Sequence, residues 1–145
     1  SSMTAAYESL SESMKNFLKN LTAEHDFCHG FKESIAEPGG RERLKDAIKN
    51  NPPVIHPVIR THPITKRKAI FVNPLFTTKI NELSKSESDA LLEFLYSYSI
   101  TPEFTCRFSW TPNSIAIWDN RCTLHKPIND YFPEHRLLER ITVDR

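Results

Sequence analysis

The sequence has little that would tie it to a membrane, to nucleic acid or to an oxidising compartment. It holds only three cysteines, Cys28, Cys106 and Cys122, odd in number, widely spaced and without a CxxC pair. Neither a disulfide framework nor a thiolate zinc site is indicated, and a reducing, cytoplasmic setting is expected. Charge of one sign is also lacking: 19 lysines and arginines face 18 acids, for a formal charge of +1. Such a balance gives no global field to draw nucleic acid or an anionic membrane. No apolar run approaches the ~20 residues of a membrane span, and the opening SSMTAAYESLSES has no basic and apolar signal design. There is no internal repeat, low-complexity tract or linker that would divide the chain. At 145 residues it is one domain or part of a larger one, and a domain of that size buries roughly 70% of its unfolded surface. With no global signal, function has to be sought in a local site.

What is present reads as a helical beginning and a strand-rich end. Leu10, Met14, Phe17, Leu18 and Leu21 recur at helical spacing with Ser11 as a cap, which predicts amphipathic helix within residues 5 to 23. The polar CHGFKESIAEPGG follows, then a weakly amphipathic RERLKDAIKN that NPP at 51 to 53 must stop, because proline disfavours helical geometry in the residue before it. VIHPVIR, a turn around HPITKRK and AIFVN predict a hairpin. Ser84 with Glu87 forms a capping-box pattern, and Leu91, Leu92, Leu95 and Tyr98 give a helix over 85 to 99 an apolar stripe. EFTCRFSW, the turn TPNS and IAIWD predict a second hairpin, and LLERITV a final strand. The expected class is mainly β with peripheral helices, an antiparallel roll or barrel in preference to a doubly wound sheet.

Six stretches together carry a family resemblance: LTAEHDF, NPPVIHPVIRTHPITKRKAIFVN, FTTKI, LSKSESDALLEFL, PEFTCRFSWTPNSIAIWDNRCTLH and NDYFPEHRLLERIT. In order and spacing they resemble the C-terminal part of taurine dioxygenase and its relatives, the Fe(II)- and 2-oxoglutarate-dependent oxygenases, almost from end to end of the chain. The resemblance implies a jelly roll, the double-stranded β-helix, with residues 1–145 as the C-terminal segment of one catalytic domain. It also implies oxidative decarboxylation of 2-oxoglutarate to succinate and carbon dioxide, molecular oxygen as co-reactant, and hydroxylation of a small anionic substrate such as taurine or a related sulfonate.

The resemblance assigns His125 as one histidine of the iron's facial triad of two histidines and a carboxylate. It assigns Arg136, eleven residues on, to the remote carboxylate of 2-oxoglutarate, and Arg140 to the anionic head of the substrate. The residue types suit those tasks, since a planar guanidinium makes two parallel charge-assisted bonds to a carboxylate or a sulfonate. On a strand, positions 136 and 140 would face the same side, roughly 13 Å apart at ~3.3 Å per residue. Phe31, Phe76 and Trp118 match aromatic positions around the family's pocket, where apolar walls exclude water.

Plainer readings stand beside these. A histidine at a strand end is usually structural, edge arginines are usually solvated, and the three aromatics suit an ordinary core. His25 with Asp26, and His56 with His62, do not make a metal set, because proline follows both latter histidines and no carboxylate sits at ligand spacing. Cys28 beside His29 lacks an oriented base nearby. None of the six histidines has an acid two positions later, so the H-x-D or H-x-E pair of the family is missing, as is its glycine-rich segment with the threonine that contacts 2-oxoglutarate. Two functions are compatible with that: part of a working oxygenase completed by an N-terminal segment, or a non-catalytic β-roll that binds an anion or another subunit through Arg136 and Arg140. Half of such a roll is expected to form homo-oligomers or to associate with an N-terminal complement.

Overall fold

In the computed structural model, which describes residues 1–143, the amino-terminal helical pattern divides at Ser9 and Leu10 into α1 (Met3–Glu8) and α2 (Glu12–Leu18). Ser2 and Ser11 cap them, each hydroxyl accepting the amide N–H three residues on, Ala5 and Met14, at 3.2 Å. Met3, Ala6, Leu10 and Leu18 turn inward. The helical reading fails from residue 22, where the chain becomes β1 (Thr22–His25). Burial there has a period of two, with Leu21, Ala23 and His25 buried and Thr22 and Glu24 half-buried, and that period fits a strand.

Residues 27–50 are four short helices: α3 (Phe27–Gly30), α4 (Lys32–Ala36), α5 (Gly40–Arg43) and α6 (Lys45–Asn50). Gly39, at φ +74°, occupies the left-handed region between α4 and α5. α6 ends just ahead of Asn51-Pro52, as the proline rule requires.

Two antiparallel sheets follow. β1 is the centre of a three-stranded sheet, flanked by β2 (Val54–Pro57) and β5 (Thr77–Ile80), with Ala23 opposite His56 on one side and Ile80 on the other. β3 (Ile59–Thr61) and β4 (Lys68–Ile70) form the predicted hairpin around residues 62–67. The stretch VIHPVIR is therefore two strands serving two sheets. α7 (Lys85–Ser99) carries the capping box, and the Glu87 carboxylate accepts the Ser84 N–H at 2.9 Å. Its buried Ser88 hydroxyl accepts the Ile80 N–H at 2.8 Å and ties α7 to β5, while Leu92 and Leu95 join Leu18, Val58, Ile70 and Ile80 in one core.

The mainly β expectation is corrected to a mixed helix and sheet fold. After a 3-10 turn at Pro102–Phe104, the described residues form no named strand, and the extended pairing present is an isolated antiparallel bridge between Ser2 and Thr123. Neither the second hairpin nor the strand LLERITV is formed. A strand persists where a neighbour takes its N–H and C=O groups and a second layer covers its apolar side. Here Ile117 and Ile141 are 94% and 89% exposed. Among the described residues no helix is long and apolar enough to cross a membrane.

Candidate functional site

The turn that leads to His125 is built on one carboxylate. Oδ1 of Asp119 accepts the Arg121 N–H at 2.9 Å and the Arg121 Nε–H at 2.8 Å, closing a local Asx-type turn. The Asp119 carbonyl accepts the N–H groups of Cys122 and Thr123 and the Thr123 hydroxyl, the last at 2.7 Å. On the far side the chain pairs with the amino terminus: Met3 N–H donates to the Cys122 carbonyl at 3.0 Å, and Ser1 and Leu124 exchange backbone bonds at 2.7 and 3.0 Å.

His62 reaches this turn from the β3–β4 hairpin. Its side chain is only 5% exposed, with Nε2 3.0 Å from Asp119 Oδ2. The tautomer follows from the other nitrogen. Nδ1 accepts two backbone N–H groups, from Ile64 at 3.2 Å and Thr65 at 3.1 Å, so the proton of the neutral ring is on Nε2 and points at Asp119. The fork from Arg121, and next the bond from His62, hold the Asp119 carboxyl well below the usual carboxylate range. Burial and then the Asp119 charge push the Cys122 thiol up, so the thiol is mostly protonated near neutral pH and reacts slowly. Arg67, next to this cluster, is forked onto Glu8 of α1, with Nη2 2.8 Å from Oε2.

The residues assigned from the resemblance fall into separate groups. His125 is exposed, and its ring lies against Trp118 with centroids 4.8 Å apart. Phe31 packs on Phe27 at 4.4 Å and on Phe76 at 6.1 Å. Arg136 is half-buried, its guanidinium 5.4 Å from the centre of the Tyr131 ring. Arg140 is exposed and donates to the Thr142 hydroxyl at 3.4 Å. With no strand over 136–142, the expected same-side placement of the two arginines is not formed.

As an exposed imidazole, His125 has the donor type that one position of an iron site needs. Among the described residues His125 belongs to no group of three or more potential ligand side chains; the group that does form is His62, Asp119 and Cys122, their donor atoms within 4.8 Å. That set does not suit a cation. The His62 Nε2 lone pair is taken by its proton, the thiol is protonated, and the guanidinium groups of Arg121 and Arg67 both act on Cys122. Sequence reasoning passed over Asp119 and gave His62 no role. The retrospective signals are His62 ahead of Pro-Ile-Thr and Asp119 two residues before Arg121, both turn patterns.

The comparisons with known proteins agree in direction. The sequence model described as "Taurine catabolism dioxygenase TauD, TfdA family" matches residues 1–142. An alpha-ketoglutarate-dependent sulfonate dioxygenase of Saccharomyces cerevisiae is 37% identical over 94% of this chain and 32% of its own length. An alkylsulfatase of Acinetobacter baylyi is 36% identical over 95% of this chain and 44% of its own. The crystal structure of a taurine dioxygenase from Burkholderia xenovorans superposes with a TM-score of 0.66 and 32% identity, covering 83% of this chain and 37% of that one. The chain thus spans a third to just under half the length of these relatives. With the match running through the turn that carries Trp118, Asp119 and His125, the chain belongs to the TauD/TfdA dioxygenase family.

Proposed function

We propose that residues 1–145 are the C-terminal segment of one catalytic domain of the double-stranded β-helix type, in a cytoplasmic Fe(II)- and 2-oxoglutarate-dependent dioxygenase that hydroxylates a small anionic substrate, taurine or a related sulfonate. The observation that carries this reading is the family match over residues 1–142, a span that includes His125, Arg136 and Arg140. His125 would supply one of three iron ligands, the other two coming from outside this chain's described residues. Iron, when bound, supplies the oxygen chemistry that couples decarboxylation of 2-oxoglutarate to hydroxylation. The chain's own contribution is binding. Arg136 forks onto the remote carboxylate of 2-oxoglutarate, Arg140 holds the sulfonate, and Phe31, Phe76 and Trp118 wall the pocket against water.

The test is a chimera in which residues 1–142 replace the matching segment of the yeast sulfonate dioxygenase. It should form succinate in the presence of a sulfonate and lose that activity on His125→Ala, while the isolated 145-residue chain should form none. A folded chimera without turnover, or turnover that survives His125→Ala, overturns the reading.

A further inference from the structure

We infer that His62 is a positioning residue: its Nε2–H latches the Asp119 turn to the β3–β4 hairpin and thereby fixes the Trp118–His125 ring pair. The 57-residue separation between His62 and Asp119 makes this a tertiary tie and not part of either turn. Each turn is already closed by its own bonds. Nδ1 of His62 caps the hairpin loop through Ile64 and Thr65, and Asp119 closes its own turn through Arg121, Cys122 and Thr123. The Nε2 bond serves neither closure. It joins a side chain buried to 95% to a carboxylate that is one-third exposed, so the rigid partner is the histidine and the located partner is the turn. Trp118 directly precedes Asp119 and packs on His125 at 4.8 Å. Holding Asp119 therefore holds the tryptophan, and the tryptophan limits where the imidazole can lie. Supporting groups of this kind set ligand orientation in metal sites. The link to iron rests on the role proposed above for His125, whereas the latch does not.

The two nitrogens of His62 can be removed one at a time. An asparagine at 62 places its amide near Nδ1 and can still cap the hairpin loop, but falls short of Asp119. A glutamine reaches the Nε2 position and can donate to Asp119, but does not cap the loop. In a Cys28→Ser, Cys106→Ser, Trp110→Phe background of the full chain, Cys122 labelling by iodoacetamide and Trp118 emission report on the turn. His62→Asn should speed labelling on the order of 5- to 10-fold, as loss of a charge-assisted bond to a partly exposed carboxylate predicts, and red-shift the emission. His62→Gln should stay close to the parent. A parental rate for His62→Asn, or equal acceleration by His62→Gln, overturns the latch. If the His62 variants fail to fold, Asp119→Asn must accelerate labelling in the parent by more than Arg121→Ala, which removes the local fork and leaves the bond to His62; equal acceleration overturns the latch. If His62→Asn folds, Asp119→Asn must add less to it than to the parent, because only the Arg121 bonds are then left to lose; full additivity also overturns the latch. Latch behaviour in a chain whose chimera makes no succinate would leave the latch standing and remove the dioxygenase reading.

Discussion

His25 is buried with Nε2 lacking a hydrogen-bond partner, while Nδ1 has only a 3.4 Å contact with Thr77 Oγ1. Its ring packs at 5.4 Å against His56 and at 5.8 Å against Phe71. Burial, then the neighbouring His56, push the His25 pKa down, and burial followed by Arg60 does the same to His56. The unfolded chain therefore binds protons near pH 6.5 that the folded chain refuses, so stability is full above that pH and is lost as pH falls from 6.5 toward the depressed values. Urea unfolding between pH 7.5 and 5 should show this loss, and His25→Phe should flatten the slope by keeping a ring without a titrating group. An unchanged slope would exclude His25 as its source. Also at this scale, the two arginines should separate in the chimera. Arg136→Ala should raise the Michaelis constant for 2-oxoglutarate by ~10- to 150-fold, the equivalent of a lost charge-assisted pair, and Arg140→Ala should do so for the sulfonate. Weakening of one ligand by both substitutions would break the assignment. The sequence singled out His125, Arg136 and Arg140 because each sits in a recognisable string. His62 and Asp119 were not legible, because neither turn names its partner 57 positions away.

Elements set by local chemistry were read correctly. The capping box at Ser84, the stop before Pro52 and the β3–β4 hairpin all depend on neighbours in sequence. β1 was missed because Leu18, Leu21 and the following alternation overlap, and only the presence of β2 and β5 on both sides decides for a strand. The α4–α5 junction yields a prediction that separates two roles of glycine. Gly39 has a left-handed φ and open space around it, whereas a Cβ on Gly40 would lie 1.9 Å from the Ser34 carbonyl oxygen. Gly39→Asn should be nearly neutral, because asparagine tolerates that backbone region. Gly40→Ala should cost roughly 1 to 3 kcal/mol as overpacking against main chain. Thermal melts of both variants check this, and equal behaviour would refute the distinction.

For the whole molecule, the consequence lies in residues 105–143. Ile115, Ile117, Phe132, Leu137, Ile141 and Val143 are exposed in a stretch whose sequence reads as strand. Apolar side chains and unpaired backbone together favour association. Sedimentation at tens of micromolar is expected to give dimers or larger species, and a monomer with a single cooperative melt would contradict that. The same residues explain why the mainly β reading went too far: alternation reports that a stretch can be a strand, but a strand forms only beside another.

The bond from the Ser1 backbone nitrogen to the Leu124 carbonyl, at 2.7 Å, bears on how the protein should be handled. Anything joined ahead of Ser1 emerges next to Leu124, one residue from His125. A hexahistidine purification tag placed there would set six added imidazoles around the candidate ligand, enough to build with it an iron site that is not the protein's own. Metal titrations on such a preparation would report the tag, so they call for tag-free protein with the purification handle removed.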